Sequence, residues 1–143
     1  MKGFLLPRKV TDERISPDLR EHLQGGLPAI ALNAHTALST AFANDVDPVL
    51  CYAQQVNGYG KPGDVFLGIS TSGNAENVMY AAVTAKAKGM KVLALTGKDG
   101  GKLAKVADCS VIVPCQETYK IQELHLPIYH VLCLLLEEHF YAE

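Results

Sequence analysis

The sequence has no strong charge bias, no long hydrophobic run and no clustered cysteines, and each absence closes off a class of function. Lysine and arginine number 13 against 15 aspartates and glutamates, for a net charge of −2. That balance offers no polyanion-binding surface, so nucleic acid and anionic membrane are not expected partners. The opening Met1-Lys2-Gly3-Phe4-Leu5-Leu6-Pro7-Arg8 is too short an apolar stretch for a signal peptide. The longest unbroken apolar run, Val131 to Leu136, falls far short of the ~20 residues of a membrane span. Cys51, Cys109, Cys115 and Cys133 form no C-x-x-C pair and match no zinc-finger spacing. Reduced, structural thiols in a cytoplasmic protein are therefore expected. A Walker lysine is missing, because the G-x-x-x-x-G-K-[ST] spacing does not occur. The residue two after Ser70 is Ser72 rather than glycine, so there is no G-x-S-x-G elbow and a serine hydrolase is not expected. Neither an internal repeat nor a low-complexity tract is present.

What is there is a chain of 143 residues, 48% of them apolar, enough for one globular domain over 1–143 with a sizeable core. Residues 8–26 are polar, end in Gly25-Gly26 and read as an irregular or briefly helical connection. The apolar run Leu27–Leu32, bounded by Pro and Asn, predicts a buried strand. Helices are predicted around 36–43 and, capped by Asp47, from Pro48 to about Asn57. Strands follow at 64–69, 91–96 and 109–113, with helices at about 75–88 and 102–107 between them. From about Tyr119 the chain is expected to be helical to its end. Strands without polar alternation, each joined to the next by a helix, predict an α/β fold: a three-layer, doubly wound parallel sheet. Ligands in such folds bind at the carboxyl ends of the strands.

The segment Gly68-Ile69-Ser70-Thr71-Ser72-Gly73-Asn74 sits between a strand and a helix N-terminus, where free backbone amides and the helix dipole suit an anion. Three hydroxyls add donors and Gly73 permits close approach of backbone to ligand. The same residues could simply cap the helix, but one hydroxyl would serve for that, so the pattern favours a phosphate. The loop Thr96-Gly97-Lys98-Asp99-Gly100-Gly101 also follows a strand and could edge the same crevice; it reads equally well as a glycine-rich turn, and no catalytic role is assigned to it. The C-terminal helix carries Gln122, Glu123, His125 and His130 among apolar residues. Gln122 and His130 are eight apart, which at about 100° per residue projects them within a quarter turn of each other, with Pro127 a kink point between them. The apolar neighbours predict that His130 is at least partly buried. A histidine so placed is more often a satisfied core residue than a proton carrier or metal ligand, and both readings stay open here.

These residues together resemble a known family. Gly63-Asp64-Val65-Phe66-Leu67-Gly68-Ile69-Ser70-Thr71-Ser72-Gly73-Asn74 is similar to the phosphosugar loop of sugar isomerase (SIS) domains. Lys91 to Gly101, and Ile121-Gln122-Glu123-Leu124-His125 with His130, are similar to the next strand and loop and the C-terminal signature of phosphoheptose isomerases. The resemblance implies that Ser70, Thr71 and Ser72 bind the substrate phosphate and that Asn44 and Asp45 contact the sugar. It implies that Gln122 and His130 belong to the active site, His130 as acid–base residue, and that both ligate zinc in members that hold it; no organic cofactor is implied. The implied reaction interconverts sedoheptulose 7-phosphate and glycero-manno-heptose 7-phosphate through an enediol-type intermediate. A homo-oligomer, dimer or tetramer, is also implied. The chain departs from the family pattern at its start. The family's N-terminal helix, first strand, Gly-Asn-Gly-Gly-Ser loop, and the His and Glu completing the metal site and supplying the base have no counterpart before Met1. Ala75 stands where many members have serine. A truncated reading frame, inactive as this fragment, is the expectation. The alternative is a non-catalytic SIS module that binds a sugar phosphate or a protein partner.

Overall fold

A computed structural model describes residues 10–23 and 25–141. The chain falls into two compact units, one formed from Met1–Ile30 with Pro127–Glu143 and the other from Ala31–Leu126. In the first, α1 (Pro17–His22) is capped at Ser16, whose Oγ accepts the Leu19 amide. Proline opens α1 where its missing amide is harmless. The predicted strand at Leu27–Leu32 is not formed. Residues 25–31 have no regular structure, and Leu32–Ala34 make a single 3-10 turn. The physical reason is that an apolar run becomes a strand only with a ladder partner and a face to bury. Pro28 removes one ladder donor, and Leu27 and Ile30 stay exposed.

The second unit carries the expected α/β pattern. Helix α2 (Thr36–Asp45) is followed by a 3-10 turn whose first amides are capped by Asp47, its Oδ1 accepting the Val49 amide at 2.8 Å. Helix α3 (Cys51–Tyr59) comes next and ends at Gly60. Among the described residues the parallel sheet has three strands, β1 (Val65–Ser70), β2 (Lys91–Thr96) and β3 (Cys109–Ile112), in the order β1-β2-β3. Helix α4 (Glu76–Ala87) joins the first two strands and α5 (Gly101–Val106) the last two. Both crossovers step along the sheet in one direction, so right-handed connection puts both helices on the same face, where they touch. The core lies between this face and the helices: Phe66, Val92 and Ala94 against Ala81, Ala82, Ala85 and Leu103, with Val56 and Met90 closing one end. Small residues let α4 lie close to the strands. At Gly68 even a Cβ would press on Val78 and Leu103.

The opposite side of β1 does not follow the burial its uninterrupted apolar sequence predicts: Val65, Leu67 and Ile69 are each at least 40% exposed, while Phe66, Gly68 and Ser70 are buried. Asp108 pins the start of β3 to its neighbours. Its carboxylate accepts the Val92 amide at 2.8 Å and the Lys86 Nζ at 2.9 Å, and those two bonds, the backbone one first, hold its pKa down at about 2. Helix α6 (Thr118–Tyr141) runs through Pro127 as one helix of 24 residues. Among the described residues no helix is long and apolar enough to cross a membrane.

Candidate functional site

Ser70 and Thr96 are register partners at the carboxyl ends of β1 and β2, and from each a tight turn departs. The first turn, 70–75, is closed by the Gly73 amide donating to the Ser70 carbonyl at 3.0 Å. Gly73 has φ +65°, and a Cβ there would collide with the Gly100 carbonyl. Conversely, a Cβ on Gly101 would strike the backbone of Ser72 and Gly73. The two turns are thus packed backbone to backbone, and hydrogen bonds join them: Gly97 amide to Thr71 carbonyl at 3.1 Å, and Leu103 amide to Gly73 carbonyl at 2.9 Å. The glycines of the second turn, which the sequence alone left without a role, are what permit this contact.

The first turn delivers the chain into α4, whose capping residue is Ala75 and which receives no side-chain cap. Among the described residues the Glu76 and Asn77 amides have no partner at the positive end of the dipole, whereas the Val78 amide donates to Asn77 Oδ1 at 2.9 Å; Glu76 is the acid of this first turn. Ser70 is buried, and Thr71 and Ser72 are half-buried. Beside Ser70, the hydroxyl of Thr96 is fully buried and has no hydrogen-bond partner among the described residues. The turn is thus lined with donors and carries no acid of its own. The one carboxylate in the second turn, Asp99, accepts the Gly101 amide through Oδ1 at 3.1 Å.

Asn44 and Asp45 sit exposed at the C-terminal end of α2, and Gln122 is exposed on α6. Among the described residues no hydrogen bond joins these three to the 70–75 turn. The anchoring of α6 to the carboxyl end of β2 is made instead by Ile121 and His125. Ile121 is fully buried and lies against Gly97, where any Cβ would overlap it. His125, 3% exposed, places Nε2 at 3.1 Å from the Thr96 carbonyl, which can only accept, so Nε2 carries the hydrogen. His130, expected to be at least partly buried, is exposed: around it on α6, Leu126, Val131 and Leu134 are themselves about half exposed. Of the two histidines it is His125 that the core has taken, and only its spacing of four from Ile121 hinted at that. Among the described residues no three histidine, cysteine, aspartate or glutamate side chains come together as a metal site. Gln122 and His130 alone do not fit the four-coordinate donor set zinc requires.

The family model described as SIS domain matches residues 21–97, more than half of the chain. The chain belongs to the SIS-domain family. It is 47% identical over 114 residues to the phosphoheptose isomerase of a Nitratiruptor species, covering 80% of this chain and 61% of that protein. It is 48% identical over 115 residues to that of Helicobacter pylori, covering 80% and 60%. Two solved structures share the fold of this SIS domain. The phosphoheptose isomerase of Neisseria gonorrhoeae aligns with a TM-score of 0.71 at 42% identity, over 73% of this chain and 59% of that one. The enzyme of Francisella tularensis aligns with a TM-score of 0.77 at 38% identity, over 80% and 62%. The chain spans about three fifths of the length of the curated relatives it matches.

Proposed function

We propose that this SIS domain serves a sugar-phosphate isomerase that interconverts sedoheptulose 7-phosphate and glycero-manno-heptose 7-phosphate. The observation that carries the reading is the hydroxyl-rich turn 70–75 at the start of α4, braced by the second glycine turn, in a chain 47% identical to a phosphoheptose isomerase. Ser70, Thr71 and Ser72, with the first amides of α4, hold the phosphate dianion. Asn44 and Asp45 contact the sugar hydroxyls. The reaction moves a proton between C1 and C2, which takes an acid–base pair and a donor for the developing oxyanion. His130 supplies acid–base capacity and Gln122 a neutral polar contact to the sugar, both on the family pattern. Zinc, where it takes part, would need ligands besides these two. The protein works in the cytoplasm, and as a homo-oligomer; the exposed leucines of α6, among them Leu134, Leu135 and Leu136, support the second part of that reading.

Turnover is tested by following sedoheptulose 7-phosphate by NMR with zinc present, using the longest in-frame product of the gene. Conversion that falls at least about 100-fold in His130→Ala, with binding largely kept, supports the assignment. A second reading, a non-catalytic module that binds a sugar phosphate, is favoured by one observation: neither turn offers a carboxylate other than Asp99, which is engaged with Gly101. Saturable binding without conversion selects that reading, and absence of both binding and conversion overturns the two together.

A further inference from the structure

Asn74 stands at the end of the hydroxyl turn with its side chain exposed, yet both of its polar atoms are engaged by backbone. Its Nδ2 donates to the Ser72 carbonyl at 3.0 Å and its Oδ1 accepts the Lys102 amide at 3.1 Å. Its own amide donates to Ser72 Oγ at 3.2 Å. One residue therefore grips Ser72 at two points and ties it to the first turn of α5. One Nδ2 hydrogen and one Oδ1 lone pair stay free, but the two backbone bonds fix which way the carboxamide points. The bond from its amide fills an acceptor position on Ser72 Oγ, so the hydroxyl hydrogen is directed elsewhere.

We infer that Asn74 is a positioning residue for anion binding, acting through Ser72: its side chain locks the 70–75 turn to the 97–102 segment and so holds in place the backbone amide that aims the Ser72 hydroxyl. The inference rests on the proposed sugar-phosphate reading and deepens it. Both side-chain bonds lie at the surface, where water competes for the same groups, so their removal alters ligand affinity far more than global stability.

The test is calorimetric titration of sedoheptulose 7-phosphate into the full chain, the Asn74→Ala and Ser72→Ala variants, and the double variant. Asn74→Ala is expected to bind about tenfold more weakly with a melting temperature within about 3 °C of the parent. The double variant is expected to bind no more weakly than Ser72→Ala alone, the non-additivity of two residues acting as one. Should Asn74→Ala fail to fold, Asn74→Ser, uncharged and too short to bridge the Ser72 carbonyl and the Lys102 amide, is expected to show the same loss. Parental affinity in the Asn74 variant, or losses that multiply in the double variant, would overturn the inference while leaving the sugar-phosphate reading intact. A parent chain that binds no sugar phosphate defeats that reading, and the inference with it.

Discussion

Gly73 is the residue at which the geometry is least forgiving. Its φ of +65° puts any other residue in the left-handed region, and the Gly100 carbonyl occupies the space a methyl would take. Gly73→Ala is expected to lower unfolding stability by at least about 2 kcal/mol, measured by urea denaturation, and to weaken sugar-phosphate binding. A change under half that size would mean that the two turns separate easily. His125 makes a different case: a buried imidazole whose hydrogen bond to the Thr96 carbonyl holds α6 to the end of β2. His125→Ala removes both the bond and a packed ring, at an expected cost of about 2–4 kcal/mol in the same assay. In the sequence His125 and His130 lie on the same apolar helix. Which one the core accepts depends on what each meets in space, and only one of them meets a strand end.

At the scale of elements, what the sequence showed and what it hid have a common cause. The strands β1 and β2 and the helices α3 and α4 were legible because their signals are local: a continuous apolar run, a Gly or Asn breaker, an Asp cap. The run Leu27–Leu32 carries the same local signal and forms no strand, because pairing is a property of the neighbour and not of the run. The clasp between the two glycine turns was hidden for a similar reason. Asn74 and Lys102 are 28 residues apart, and nothing in either segment names the other. Asp108, by contrast, yields a prediction about the sheet. Its pKa is lower folded than unfolded, so it adds stability above its ordinary value near 3.8 and loses that contribution as pH falls toward about 2. Asp108→Asn is expected to lower the melting temperature at pH 7 and to flatten the fall in stability between about pH 4 and pH 2, read by thermal melts across pH. An unchanged acid limb would show that the bonds to Val92 and Lys86 are not maintained in solution.

At the scale of the whole molecule, family membership and local geometry converge on one place. The chain is 48% identical to one phosphoheptose isomerase over about three fifths of that protein's length, and the SIS match spans residues 21–97. Within that span lie β1, the hydroxyl turn, α4 and β2, the pieces that build a donor-lined edge at the carboxyl end of the sheet. The phosphate is expected there, and chemistry follows only if it binds. The direct test is an amide-resolved NMR titration of the 143-residue chain with sedoheptulose 7-phosphate. Saturable shifts concentrated at the amides of 70–77 and 97–102 are the predicted result. Saturable shifts centred on other residues, or none at all, would contradict the account.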